Sequence, residues 1–180
     1  MKGKLEIEYK TLISHNKATQ LLATGLFEYL GKQKNLYIDT DDYYFGSNRI
    51  VMRIRSRKDS HVFTAKFDTK EGLREVEFDL DDTRIDNPKI LEFVKEYTDN
   101  TKMVAIGSTI TYRYVLDDEF GQWCLDFNVF KYTSDVELEY ELKDGLFDKK
   151  EHFLEFLKKW DIPFDPCQSK FIRLLNEISE

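Results

Sequence analysis

The sequence predicts an α+β chain that is mainly β: eight antiparallel strands closing into a barrel, with helices on its flanks. Three observations lead there. Six short stretches alternate charged and uncharged residues at period two: Glu6 to Lys10, Arg53 to Arg57, Thr64 to Lys66, Ile110 to Tyr114, Leu125 to Phe127 and Glu137 to Glu141. Strand residues i, i+2 and i+4 share a face, so each stretch gathers its charges on one side. The connections between neighbouring strand patterns are as short as Lys58-Asp59-Ser60, which suits antiparallel hairpins. There is no repeat, linker or low-complexity segment, and residues 1–180 read as a single domain.

Leu5 to Ile13 is the first expected strand. Asn16 to Leu30 follows as a helix, with Leu21, Leu22, Leu26, Phe27 and Leu30 near helical spacing and Gly31 ending it. A short strand, Leu36 to Thr40, leads into a polar and aromatic loop, Asp41 to Arg49. Ile50 to Arg57, Val62 to Phe67 and Leu73 to Leu80 then form hairpins, the last two joined by Thr69-Lys70-Glu71-Gly72. Asn87-Pro88 opens a helix to about Tyr97, proline being favoured in a first turn. Ile106 to Leu116 and Gln122 to Lys131 flank the turn Asp117 to Gly121, and Val136 to Leu142 closes the set. Helical patterns return over Lys149 to Trp160 and Ser169 to Ile178, for four helices in all.

The chain is 41% hydrophobic and 34% charged, with ten Tyr and fourteen Phe, a soluble composition on the charged side. A net charge of −7 argues against nucleic acid and anionic membranes as partners. No stretch is apolar enough to span a bilayer, and Met1-Lys2-Gly3-Lys4 runs into a charged strand with no signal-peptide core. Cys124 and Cys167 form no CxxC pair, which fits free thiols in a reducing compartment. A cytoplasmic monomer or homodimer is expected.

An ordinary amphipathic strand turns its charges to solvent. An eight-stranded barrel also encloses a lumen wide enough for a ligand, and the mixture of signs favours a charged interior. The apolar faces Leu5/Ile7/Tyr9, Ile50/Met52/Ile54, Ala65/Phe67, Tyr112/Tyr114 and Leu125/Phe127/Val129 would then lie outward under helices. Lys10, Arg53, Arg55, Arg57, Lys66 and Arg113 suit several phosphates, and Glu6, Glu8, Asp126, Glu137, Glu139 and Glu141 suit hard divalent cations. Polyphosphate with bound metal needs both signs. Burying so many charges unpaired would cost several kcal/mol per ion, so such a wall reads as a site.

These residues, in this order, resemble the CYTH family of triphosphate tunnel metalloenzymes, over essentially the whole chain. The resemblance starts at the E-x-E-x-K of Glu6, Glu8 and Lys10. It continues through Tyr37-Ile38-Asp39-Thr40, Met52-Arg53-Ile54-Arg55, Thr64-Ala65-Lys66 and Arg74-Glu75. Arg113, Leu125-Asp126, Glu137-Leu138-Glu139 and Ser169-Lys170-Phe171 complete the ordered set. The small single-domain bacterial members are the most similar type. The resemblance implies an eight-stranded antiparallel tunnel, with Mg²⁺ or Mn²⁺ held by Glu6, Glu8, Asp126, Glu137 and Glu139. The three alternating glutamates leave Glu137/Glu139 and Glu139/Glu141 both open as the ligand pair. It further implies a triphosphate-containing small-molecule substrate gripped by Lys10, Arg53, Arg55, Lys66, Arg113 and Lys170. Glu6, Glu8, Lys10, Arg53, Arg55 and Lys66 are the expected catalytic set.

Three functions follow. The first is metal-dependent hydrolysis of inorganic triphosphate to pyrophosphate and phosphate. The second is action on an organic triphosphate (thiamine triphosphate or a nucleotide) or adenylate cyclisation, with Tyr37, Tyr43, Tyr44 or Trp123 meeting the organic group. The third is non-catalytic binding of polyphosphate or nucleotide, which could dispense with the carboxylates. His15, His61 and His152 are isolated and expected on the surface, and Cys124 shares the parity of Asp126 without reading as a nucleophile. Glu75 and Glu77 are secondary-ligand or rim candidates, and Lys170 without the resemblance would read as a surface lysine.

Overall fold

The computed structural model describes residues 3–70 and 72–179. Met1, Lys2 and Glu180 lie outside them, as does Glu71 of the expected hairpin turn. The elements in chain order are β1 (Lys4–Glu6), β2 (Glu8–Ile13), α1 (His15–Ala23), β3 (Glu28–Thr40) and α2 (Tyr44–Ser47). Then come β4 (Ile50–Arg57), β5 (Ser60–Thr69), β6 (Gly72–Leu80), α3 (Pro88–Lys95) and β7 (Met103–Asp117). β8 (Gly121–Val129), β9 (Ser134–Leu142), α4 (Lys150–Lys159) and α5 (Lys170–Ile178) complete the chain.

The strands are hydrogen-bonded in the order β1-β6-β5-β4-β3-β7-β8-β9-β2. The pairs β2–β9, β3–β4, β4–β5, β5–β6, β7–β8 and β8–β9 are antiparallel. Both ends of that order belong to one segment, because only Ile7 separates β1 from β2. This is the connectivity of a nearly closed antiparallel barrel, with nine strands rather than the expected eight. The extra strand arises at Ile7, whose carbonyl accepts from Leu142 N (3.0 Å) while the residues before it pair with β6. The polar alternation runs through this break, so the sequence shows a single strand.

The helix expected from Asn16 to Leu30 stops at Ala23. Gly25 has φ +71°, a left-handed geometry that glycine adopts without a Cβ penalty. The chain continues as the 13-residue strand β3, leaving Leu26, Tyr29 and Leu30 exposed while Leu21 and Phe27 are buried. Helical spacing across a glycine turn mimicked one long helix. A fifth helix, α2, lies in the expected loop; Asp39 organises it by accepting from Phe45 N (3.0 Å) and Gly46 N (2.8 Å).

The chain divides into two compact units, with boundaries inside β3 and β7. The first holds Gln33–Thr109 and residues 3–5. Its core sets Met52, Ile54, Phe63 and Ala65 against Ile90, Phe93 and Val94 of α3. The second holds Glu6–Lys32 and residues 110–179. There Trp123, Leu125, Leu138 and Tyr140 pack under Ala18 and Leu21 of α1 and Phe153 and Leu157 of α4. In both units most of the apolar strand residues lie under helices, as the alternation predicts, but Tyr112 and Val129 of the expected covered faces are exposed. Trp123, a candidate for contact with an organic group, is fully buried instead, its ring 3.9 Å from Phe156 and 4.1 Å from Tyr140. No helix among the described residues is long and apolar enough to cross a membrane.

The β7–β8 turn fastens this second core through one carboxylate. Asp118 accepts from Tyr140 Oη (2.6 Å), Trp123 Nε1 (2.9 Å), and the backbone N–H groups of Phe120 and Gly121 (both 2.9 Å), and pairs with His152 Nε2 (2.7 Å). His152 is therefore half-buried on α4 rather than a free surface group, and His61 is half-buried beside Ser56 Oγ (3.2 Å). Burial raises the Asp118 pKa, but the Tyr140, His152 and Trp123 bonds outweigh it and bring it from 3.8 down to about 2. A depressed carboxylate stabilises the fold above its unfolded value, and that contribution is lost as pH falls through its folded value. Asp118→Asn should therefore weaken the acid limb of stability between pH 3.8 and about 2. It should also lower stability at neutral pH by about 2 kcal/mol, since it strips charge from several bonds. Chemical denaturation across pH checks both.

Candidate functional site

The second unit collects the charged faces of β2, β7, β8 and β9. Register explains how. Lys10 lies opposite Glu139, Glu8 opposite Glu141, Arg113 opposite Asp126 and Asp126 opposite Glu137. Each charge thus meets a charge across the ladder, where directly opposite side chains interact most strongly. Asp126, Glu137, Glu139 and Arg113 are all buried.

Arg113 donates two bonds to Asp126, Nε to Oδ1 (2.7 Å) and Nη2 to Oδ2 (2.6 Å). This is the fork geometry that suits guanidinium to carboxylate. Lys10 pairs with Glu8 and lies 3.9 Å from Glu139 Oε2. Lys170 Nζ reaches all three inner acids: Asp126 Oδ2 (3.0 Å), Glu137 Oε1 (2.5 Å) and Glu139 Oε2 (3.3 Å). Lys170 is therefore not a surface lysine. Arg173, one turn on, contacts Glu137 Oε2 (2.7 Å) and Asp135 Oδ2 (2.9 Å).

The segment before α5 sets this position. Leu12 N donates to Asp165 O (2.9 Å) and Asp165 N to Thr11 Oγ1 (2.8 Å), tying it to β2. Ser169 then caps α5 by accepting from Ile172 N (3.3 Å). At its far end Glu177 accepts from the backbone N–H groups of Lys131 (3.0 Å), Tyr132 (3.1 Å) and Thr133 (2.8 Å). Whereas α1 and α4 cover apolar faces, α5 meets the charged face of β8 and β9 with Lys170 and Arg173.

Burial penalises every charge here, and the partners overcome it. The Glu139 carboxyl lies well below its usual range, because Lys170, Lys10 and Arg113 outweigh desolvation. Asp126 is lowered by Lys170 and Arg113 against the same penalty. Lys170 and Arg113 are raised, desolvation being overcome by Glu137, Glu139 and Asp126 around the first and by Asp126 beside the second. Burial pushes both thiols up to about 12, which leaves Cys124 and Cys167 as poor nucleophiles.

One oxygen each from Asp126, Glu137 and Glu139 lie within 4.8 Å of one another. A set of carboxylate oxygens alone is hard donor chemistry and fits Mg²⁺ or Mn²⁺. Of the two glutamate pairs left open, Glu137 and Glu139 meet Asp126, while Glu141 is half-buried opposite Glu8.

The first unit carries its own charged face. Arg53 Nη2 lies 3.4 Å from Glu75 Oε1, which Lys66 Nζ approaches to 3.9 Å. Arg55 Nε donates to Asn35 Oδ1 (2.9 Å), and Thr64 Oγ1 to Glu77 Oε1 (2.8 Å). Arg53 Nε is buried without a hydrogen-bond partner among the described residues. Such an orphaned donor is costly unless something accepts from it. Tyr37 is buried opposite Arg53, Tyr43 is exposed, and Arg57 is exposed at its strand end. Glu6, which belongs to the second unit, lies half-buried on β1.

The structure thus joins Glu8, Lys10, Arg113, Asp126, Glu137, Glu139 and Lys170 in the second unit, and Arg53 and Lys66 around Glu75 in the first. Sequence reasoning missed Arg173, Asp135 and Glu177. The available signal was spacing, since Arg173 follows Lys170 by three residues and shares its helix face.

This arrangement belongs to a known family. The CYTH domain model matches residues 4–162, across both units. The chain is a member of the CYTH family. No curated protein matches it. Among solved structures, a candidate adenylate cyclase from Bacillus halodurans is 26% identical, with TM-score 0.78, over 96% of this chain and 98% of that one. HpAC1 of Hippeastrum, a candidate adenylyl cyclase with a dominant triphosphatase activity, is 25% identical, with TM-score 0.75 and 96% of both chains covered. PH1012 of Pyrococcus horikoshii shares the fold at 14% identity, TM-score 0.68, over 94% of this chain and 99% of that one.

Removing Asp126 leaves Arg113 buried without its main partner. Asp126→Ala should cost about 3 kcal/mol of unfolding free energy, the scale of a broken buried ion pair. Urea titration of both proteins checks this.

Proposed function

We propose that this CYTH protein is a metal-dependent triphosphatase that splits inorganic triphosphate into pyrophosphate and phosphate. The observation that carries the reading is the convergence of Asp126, Glu137 and Glu139 within 4.8 Å, surrounded by Lys10, Arg113 and Lys170. The triphosphatase activity of HpAC1 supports it.

In this reading Asp126, Glu137 and Glu139, with Glu6 and Glu8, hold Mg²⁺ or Mn²⁺. A metal held there would supply positive charge against the phosphate oxygens and would make water a stronger nucleophile. Lys10, Arg53, Arg55, Lys66, Arg113 and Lys170 grip the phosphates, orient the chain of anhydride bonds and stabilise charge on the transferring phosphoryl group. Arg53 brings a buried Nε–H with no acceptor among the described residues, which a phosphate oxygen would satisfy. Water is the nucleophile, consistent with thiols held near 12.

The likeness to the Bacillus halodurans candidate cyclase favours a second reading, action on a nucleotide triphosphate. Phosphate release from inorganic triphosphate, ATP and thiamine triphosphate, with Mg²⁺, Mn²⁺ or EDTA, separates the two. Fast, metal-dependent release from inorganic triphosphate is expected. Faster turnover of ATP, or cyclic nucleotide and pyrophosphate from it, would overturn the substrate assignment. Binding without turnover would mark a non-catalytic protein.

Glu139→Gln should cut turnover about 100-fold or more, the scale of losing one preorganised electrostatic group. Arg55→Ala should weaken triphosphate binding about tenfold, the worth of one charge-assisted hydrogen bond. Calorimetry with triphosphate checks the second, and unchanged affinity would remove Arg55 from the phosphate grip.

A further inference from the structure

Lys170 occupies the point on which the three carboxylates converge. Its Nζ lies 3.0 Å from Asp126 Oδ2, 2.5 Å from Glu137 Oε1 and 3.3 Å from Glu139 Oε2. The same three residues offer the clustered oxygens of the candidate metal centre. An ion with Mg²⁺-like bonds needs those oxygens at about 2.1 Å. An ammonium within hydrogen-bond reach of all three leaves that space filled, and two cations sharing one triad would repel strongly in a buried setting.

We propose that Lys170 is an internal counter-ion of the carboxylate triad, and that a divalent cation and the Lys170 ammonium occupy it in turn. This rests on the metal-binding reading above and adds a second position for Lys170. Entry of the ion releases the ammonium from Asp126, Glu137 and Glu139. The four-carbon stem of lysine lets the charge swing while α5 stays in place. The helix remains anchored because Arg173 holds Asp135 and Glu137 Oε2, and Glu177 holds the β8–β9 turn. Arg113 still covers Asp126 through Oδ1. The exchange replaces one positive charge in the triad by two and frees a third for an anion. Metal entry therefore prepares the unit for phosphate, and the order of binding is metal first.

The test combines affinity with accessibility. Mn²⁺ titration by calorimetry is run on the wild type, Lys170→Ala, Lys170→Gln and Glu139→Gln. In parallel, wild-type lysines are acetylated with and without Mn²⁺ and quantified by mass spectrometry. Both Lys170 variants should bind Mn²⁺ at least about tenfold more tightly, because the competing ion pair is gone. Lys170 labelling in the wild type should rise several-fold on Mn²⁺ saturation, while the exposed Lys95 stays constant. Unchanged or weaker Mn²⁺ binding in folded Lys170 variants would overturn the proposal, as would flat Lys170 labelling. If both variants fail to fold, the wild-type labelling decides alone. Mn²⁺ binding that needs Glu139 but ignores Lys170 sinks this inference and leaves the metal reading standing. No Mn²⁺ binding by any of the four proteins sinks both.

Discussion

The second unit depends on one constraint: its buried carboxylates must be matched by cations, charge for charge. Asp126, Glu137 and Glu139 are buried on adjacent strands, and an unpaired charge in that position costs several kcal/mol. The register of β2, β9, β8 and β7 is therefore tightly specified. A slip by one residue would turn Glu137 and Glu139 toward Leu21 and Phe153 and bring Leu138 to the charged side. The same constraint accounts for α5, whose Lys170 and Arg173 complete a face that Arg113 and Lys10 leave acidic. Stability itself comes from the opposite faces, where Trp123, Leu125 and Leu138 lie under α1 and α4.

The two units solve the charge problem differently. In the second, Lys170, Arg113 and Arg173 are closely held by acids, and each raised cation pKa reflects attraction overcoming burial. In the first, Arg53 and Lys66 both approach Glu75, at 3.4 and 3.9 Å. Under the proposed reading, the acid-rich network of the second unit suits a cation, and the bases around Glu75 in the first suit an oxyanion.

Much of this was legible in the alternation. Parity separated Asp126, Glu137 and Glu139 from Leu125, Val136 and Leu138, and the structure puts each set on its own face. Parity could not choose between Glu137 and Glu141, because that depends on which partner lies opposite, a property of register. Nor could it show that Ile7 splits a strand or that Gly25 ends α1, since both are local turns inside a continuous pattern. The polar contacts of α5 were hidden for another reason. Its apolar residues follow ordinary helical spacing, so Lys170 and Arg173 read as its solvated side until the strands beneath them are known to be charged. Asp118 was invisible because its five partners come from β8, β9, α4 and its own turn.

A prepaired network also changes what ligand binding costs. Bringing a polyanion and a divalent ion to an apolar cavity would require stripping water from both with nothing in place to receive them. Here the protein groups were desolvated during folding, and their charges already balance through Lys170, Arg113 and Lys10. In the proposed reading, binding would be an exchange of partners, carboxylates trading an ammonium for a metal and cations trading a carboxylate for a phosphate. The net cost is the difference between two ion pairs, which is small and tunable, rather than the full solvation of any one charge. Substitutions that keep this balance in the free protein should be tolerated by the fold even where they spoil the chemistry, whereas those that leave an odd charge should fail first as folding defects.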